Sequence, residues 1–127
     1  MKVHSTLGNG FQEVIYQRAL DIELKKNGIE CIREFDMPIF YDRQHIGSRR
    51  VDFLVNGNIS VELKALLKLE NVHLAQAMNY LEAYSIQIGL LINFGSPKLQ
   101  YHQLTNKKFK SSIPKIPRNS INSSSDS

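Results

Sequence analysis

The stretch Arg50-Val51-Asp52-Phe53-Leu54-Val55-Asn56-Gly57-Asn58-Ile59-Ser60-Val61-Glu62-Leu63-Lys64 decides the fold of this 127-residue chain. Two runs rich in Val, Leu, Ile and Phe flank an Asn-Gly-Asn turn, which predicts an antiparallel hairpin. Side chains alternate along a strand, so Glu62 and Lys64 share one face and Val61 and Leu63 the other. Asp52 lies ten residues before Glu62, with Gly57 at the midpoint. If the loop is the three residues 56–58, Asp52 stands directly opposite Glu62, and cross-strand partners share a face. A two-residue Asn56-Gly57 turn opposes Asp52 to Val61 instead and sends the two carboxylates to opposite faces.

The first register gathers two carboxylates and one ammonium. Adjacent carboxylates repel unless a cation intervenes, and hard oxygen ligands suit Mg²⁺ or Mn²⁺. Such an ion polarises a phosphoryl oxygen and lowers the pKa of a bound water. Lys64 would orient the attacking water and stabilise charge developing on the phosphorus centre. The purely structural alternative is an Asp–Lys or Glu–Lys ion pair on a sheet surface.

Outward from the hairpin, residues 10–27 carry a helical pattern, with Phe11, Val14, Ile15, Ala19 and Ile22 forming one apolar stripe. Asn9 and Gln12 resemble a capping box, and Gly28 supplies a stop. Ile29 to Tyr41 reads as a strand whose Pro38 points to an edge. Asp42-Arg43-Gln44 is a reversal, and His45 to Val55 and Ile59 to Lys64 are the next strands. Asn71 would cap a second helix to Tyr84, with Leu74, Ala77, Met78 and Leu81 buried. Ile86 to Asn93 is almost continuously apolar, as in a strand covered on both faces. A short strand follows around Leu99 and Tyr101. The order α-β-β-β-α-β-β predicts an α/β domain, a mixed β-sheet flanked by helices.

Composition excludes several classes. No apolar run approaches the ~20 residues that span a bilayer, no secretory signal follows the opening Met-Lys-Val-His-Ser, and the lone Cys31 cannot form an internal disulfide. The expectation is a cytoplasmic protein without membrane contact. The formal net charge is +4, yet residues 1–105 hold 11 Lys+Arg against 11 Asp+Glu. The whole excess sits in residues 106–127, a basic, Ser/Asn-rich segment with too few apolar groups to offset its ordering entropy. The expected division is a domain over 1–105 and a disordered tail over 106–127.

Asp52 followed by Glu62-Leu63-Lys64 resembles the bipartite signature of the PD-(D/E)XK nuclease superfamily, with Val51 where that name has Pro. Gly10-Phe11-Gln12-Glu13-Val14-Ile15-Tyr16 resembles the motif of the small bacterial GxxExxY proteins placed in that superfamily. Val51-Asp52-Phe53-Leu54-Val55, Val61-Glu62-Leu63-Lys64-Ala65 and Leu90-Leu91-Ile92-Asn93-Phe94-Gly95 resemble the same proteins, so the likeness covers roughly residues 3–104. Members usually carry a further helical stretch before the segment matching Val3–Gly8, the point at which this sequence begins.

The resemblance implies a restriction-endonuclease-like fold and a divalent-metal-dependent phosphodiesterase site acting on DNA. Asp52 and Glu62 would be metal ligands, the Leu63 backbone carbonyl a third, and Lys64 the catalytic lysine. Glu13 maps onto an acid of the first helix that reaches the metal region, and its plain alternative is a solvated carboxylate. Gln76 and Tyr80 resemble an auxiliary Gln-x-x-x-Tyr motif that contacts the nucleic-acid backbone or braces the lysine; Tyr80 as a packing residue is the rival. Arg49 and Arg50 would meet phosphate, or Arg50 would neutralise the carboxylates, and Lys107 and Lys108 of the tail would add affinity. A catalytically silent module binding nucleic acid or protein is the competing function. A homodimer completing a substrate groove is left open.

Overall fold

An irregular position near the end of the second strand decides which way its side chains face. The computed structural model describes residues 1–109, in the order α1 (Lys2–Leu7), α2 (Glu13–Lys26), β1 (Cys31–Tyr41), β2 (Gln44–Val55), β3 (Ile59–Lys64), α3 (Asn71–Ala83), β4 (Ile88–Asn93) and β5 (Gln100–Thr105). The five strands lie in the order β1-β2-β3-β4-β5. All neighbours are antiparallel except β3 and β4, which α3 joins as a parallel crossover. This is the mixed, helix-flanked α/β sheet the sequence predicts, with a six-residue helix, α1, added before the first expected element.

The turns follow from local chemistry. Asp42 and Arg43 both take positive φ, 51° and 64°, and close the two-residue β1–β2 loop between the paired Tyr41 and Gln44. The β2–β3 loop is the three residues 56–58, with Val55 paired to Ile59. Asn56 and Gly57 supply its positive φ values of 52° and 75°. At the end of α2, Gly28 at φ 69° donates to the Lys25 carbonyl and Ile29 donates to that of Leu24, both marks of a Schellman stop. Pro38 lies on β1, an edge strand, as expected.

Two apolar layers sandwich the sheet. Tyr16 and Leu20 of α2 pack with Phe53, Val55, Val61, Leu63, Ile92 and Phe94, joined by Val3 of α1. Tyr80 and Leu81 of α3 pack with Val51 and Ile86, flanked by Leu54. Val51 and Phe53 should share a face of a regular strand, yet they bury in opposite layers. The break falls at Asp52. The β1–β2 ladder keeps one register from Cys31–Val55 to Ile39–Gly47 but omits the Glu34–Asp52 pair, where Glu34 adopts φ 55°. The kink lets Asp52 leave the pleat.

Several local expectations need correction. The buried stripe of α2 is Tyr16, Gln17, Leu20 and, partly, Ala19 and Leu24, whereas Phe11 and Ile22 are exposed. The rotation brings a polar Gln17 inside, which apolar periodicity could not anticipate. Gln12, not Asn9, occupies the N-cap of α2, without a side-chain bond. The N-cap of α3 is Glu70, in a reciprocal box with His73, and Asn71 is already helical.

The domain also extends past residue 105. Asn106 is buried, its amide donating to the Leu81 and Ile86 carbonyls at 3.0 Å each. Residues 106–109 therefore join the folded part; the rest of the basic segment, residues 110–127, lies outside the described residues.

Candidate active site

The open end of the β2–β3 hairpin holds the chemistry. The ladder pairs Val55 with Ile59, Leu54 with Ser60 and Phe53 with Val61, so the three-residue loop sets Asp52 next in line with Glu62. Because Asp52 sits on the kink, its carboxylate replaces the missing ladder: Oδ2 accepts the Leu63 N–H at 2.8 Å. Oδ1 accepts the Gln17 side-chain amide of α2 at 2.7 Å. Glu62 alternates with the buried Val61 and Leu63 and so lies on the α3 side of the sheet. There Arg49 grips both its oxygens, at 3.0 and 2.8 Å. The two carboxylates are neighbours in register but turn to different partners, so they do not converge as the flat-strand argument predicted.

Arg49 is itself seated on Tyr80, its guanidinium carbon 4.9 Å from the ring centroid. Tyr80 is buried, its hydroxyl donating to the Met37 sulfur at 2.6 Å. Burial, with the Glu62 charge second, pushes its pKa well above the usual phenol value. Tyr80 thus packs beneath the Arg49–Glu62 pair, while Gln76, one turn earlier on the same helix, stays exposed.

Lys64 ends β3, half-buried, its carbonyl accepting the Phe94 N–H at 2.8 Å. Among the described residues it forms no close ion pair. Its charge acts on Glu13, which begins α2. Glu13 remains accessible, yet desolvation raises its pKa above 4.5. Lys64 opposes that rise, Asp52 and Glu62 add to it, and the Ala65 backbone opposes it by a hydrogen bond. Glu13, Asp52, Glu62 and Lys64 therefore occupy one electrostatic neighbourhood. The seven residues from Gly10 to Tyr16 acquire a physical meaning as well. Tyr16, wholly buried, stacks on Phe94 at 4.6 Å and donates to the Gly8 carbonyl at 2.6 Å, fixing where α2 starts and so where Glu13 points.

The segment after Lys64 is pinned by a residue whose role the sequence did not disclose. Asn93, fully buried on β4, accepts the Leu66 N–H at 2.8 Å and donates to the Leu66 carbonyl at 3.0 Å, as a strand backbone would. Gly95 permits the approach: a Cβ there would sit 2.4 Å from the nitrogen and oxygen of Leu66. Gln17 is the other residue missed, since a glutamine within an apolar helix face gives no periodic signal.

The expected phosphate contacts fare differently. Arg49 is committed to Glu62, and Arg50 to Asp36 at 3.0 Å on the exposed side of β1. Lys107 and Lys108 follow β5, whose Thr105 pairs with Ile88, whereas Lys64 pairs with Asn93 at the other end of β4. Six residues at ~3.3 Å each separate the two ends by about 17–20 Å. Lys108 pairs with Glu82 at 3.6 Å. These lysines do not join the site.

The donor set suits a hard divalent cation in kind: carboxylates from α2, β2 and β3, and the Leu63 carbonyl. Each oxygen of Asp52 and Glu62 uses one lone pair in the bonds above and keeps another. Gln17 Oε1, buried, has no hydrogen-bond partner among the described residues. Among the described residues, however, no three His, Cys, Asp or Glu side chains are drawn close enough to hold a metal as they stand.

The sequence profile of the PD-(D/E)XK nuclease superfamily matches residues 1–104. The chain belongs to this superfamily. The solved crystal structure of SSO0001 is similar at a TM-score of 0.58 and 19% identity, over 74% of this chain and 50% of that one. That likeness supports the restriction-endonuclease-like fold, and the chain spans half the length of that structure. No curated protein matches. Nuclease-like function and dependence on a divalent metal are general to the superfamily. Among the described residues no helix is long and apolar enough to cross a membrane.

Proposed function

We propose that this domain is a Mg²⁺- or Mn²⁺-dependent nuclease of the GxxExxY kind, hydrolysing phosphodiester bonds of DNA. The observation that carries the reading is that Asp52 and Glu62 stand next in register at the open end of the β2–β3 hairpin, with Lys64 two residues beyond Glu62 and the charges of all three felt by Glu13. Asp52, Glu62 and the Leu63 carbonyl would hold the cation, with Glu13 beside them. A cation there supplies polarisation of the phosphoryl oxygen and a more acidic water. Lys64, which has no close counter-ion among the described residues, is available to orient the attacking water and to stabilise charge on the phosphorus centre. On this reading the protein would be bacterial and cytoplasmic, and pairing of two copies would extend the surface offered to a duplex.

A catalytically silent binding module is the second reading, and the hold of Arg49 Nη2 on both oxygens of Glu62 favours it. The two separate in one experiment on the full chain. The nuclease reading expects calorimetric Mn²⁺ binding and metal-dependent DNA cleavage, both lost in Asp52→Ala and Glu62→Ala, with cleavage alone lost in Lys64→Met. DNA binding that survives all three changes, without cleavage or Mn²⁺ binding, supports the silent module.

A further inference from the structure

The Asp52 carboxylate has no orientational freedom of its own. Leu63 holds one oxygen from the backbone, and Gln17 holds the other through Nε2 at 2.7 Å. Gln17 is only 5% exposed, and one helical turn separates it from Glu13 on α2. An apolar residue at 17 would simply have widened the stripe formed by Tyr16 and Leu20. Instead the helix buries an amide that is half satisfied, with Oε1 unpartnered among the described residues. Burying an amide without its full set of partners is unfavourable. Packing therefore does not account for a glutamine here, whereas the bond to Asp52 does.

We infer that Gln17 is a positioning residue for the metal ligand Asp52. Its Nε2 occupies one lone pair of Oδ1 and fixes the carboxylate, so that the remaining lone pairs stay available for a hard cation. α2 thereby contributes to the site twice, through Glu13 directly and through Gln17 acting on Asp52. The inference rests on the metal reading of the preceding subsection. Partners that orient a ligand in this way typically change metal affinity by about 10–100-fold when removed.

The test is Mn²⁺ affinity by calorimetry on the full chain, for the unmodified protein, Gln17→Met and Gln17→Leu, each with its urea-unfolding midpoint. The two apolar variants fill the site similarly, so one that folds suffices. The expected result is a folded variant with a midpoint near that of the parent and Mn²⁺ binding at least about tenfold weaker. A structural role alone would lower the midpoint and leave the affinity of the folded protein unchanged. Affinity within twofold of the parent overturns the inference and leaves the metal reading standing. Failure of both variants to fold overturns it too, since the amide is then a requirement of the fold. Absence of Mn²⁺ binding in the parent defeats the metal reading itself, and this inference with it.

Discussion

Replacing Arg49 by methionine removes the counter-charge of Glu62 while keeping an unbranched apolar stem on Tyr80. The Glu62 side chain is 10% exposed and that of Arg49 33%. Removing one partner of a fully buried pair costs about 3–5 kcal/mol, because the remaining charge stays desolvated. Water reaches Arg49 and can partly replace it, which places the expected loss at the lower end, about 2–3 kcal/mol including ~0.5 kcal/mol from the lost ring contact. Against a typical domain stability of 5–15 kcal/mol this is readily measured. The assay is urea unfolding of four proteins: the parent, Arg49→Met, Glu62→Gln and the double variant. The double variant should lose less than the two singles summed, with a coupling of about 1–2 kcal/mol, since removing both charges leaves neither stranded. A coupling below about 0.5 kcal/mol would mean a solvent-screened contact and would refute the reasoning.

Two further outcomes follow from the same geometry. Gly95→Ala drives a Cβ into the Leu66 backbone that Asn93 holds in place, and should cost about 2–3 kcal/mol in urea unfolding; a loss under ~0.5 kcal/mol would show that the segment yields freely. Glu13 has a pKa raised above 4.5 in the folded chain, so the stability it contributes at low pH fades as pH climbs through that raised value. Glu13→Gln should therefore gain in Tm relative to the parent between about pH 4 and 7, and a gain that shrinks with rising pH would contradict the desolvation argument.

Much of the fold was legible because its signals are local. The Asn-Gly-Asn turn marked the β2–β3 hairpin while leaving its parity to the structure, which takes the three-residue loop; the apolar run ending at Asn93 gave β4, and Pro38 marked an edge. What escaped depends on contacts distant in sequence. The parity argument assumed a flat strand, whereas the unpaired Glu34–Asp52 position inverts the alternation and turns the two carboxylates to different partners. Gln17 reads as a polar interruption until Asp52, 35 residues away, is placed beside it. Asn93 likewise looked like the end of a strand, though its amide binds a backbone 27 residues away. The Arg49-Arg50 pair shows the limit of reading charge alone: each arginine already has a carboxylate.

The central claim is that Asp52 and Glu62 form a cation site beside Lys64. Titration of the full chain with Mn²⁺ in a calorimeter, repeated on Asp52→Ala and Glu62→Ala, tests it most directly. The account predicts saturable binding by the parent and loss of that binding in each folded variant. Binding unaffected by either substitution, or no binding to the folded parent, would contradict it.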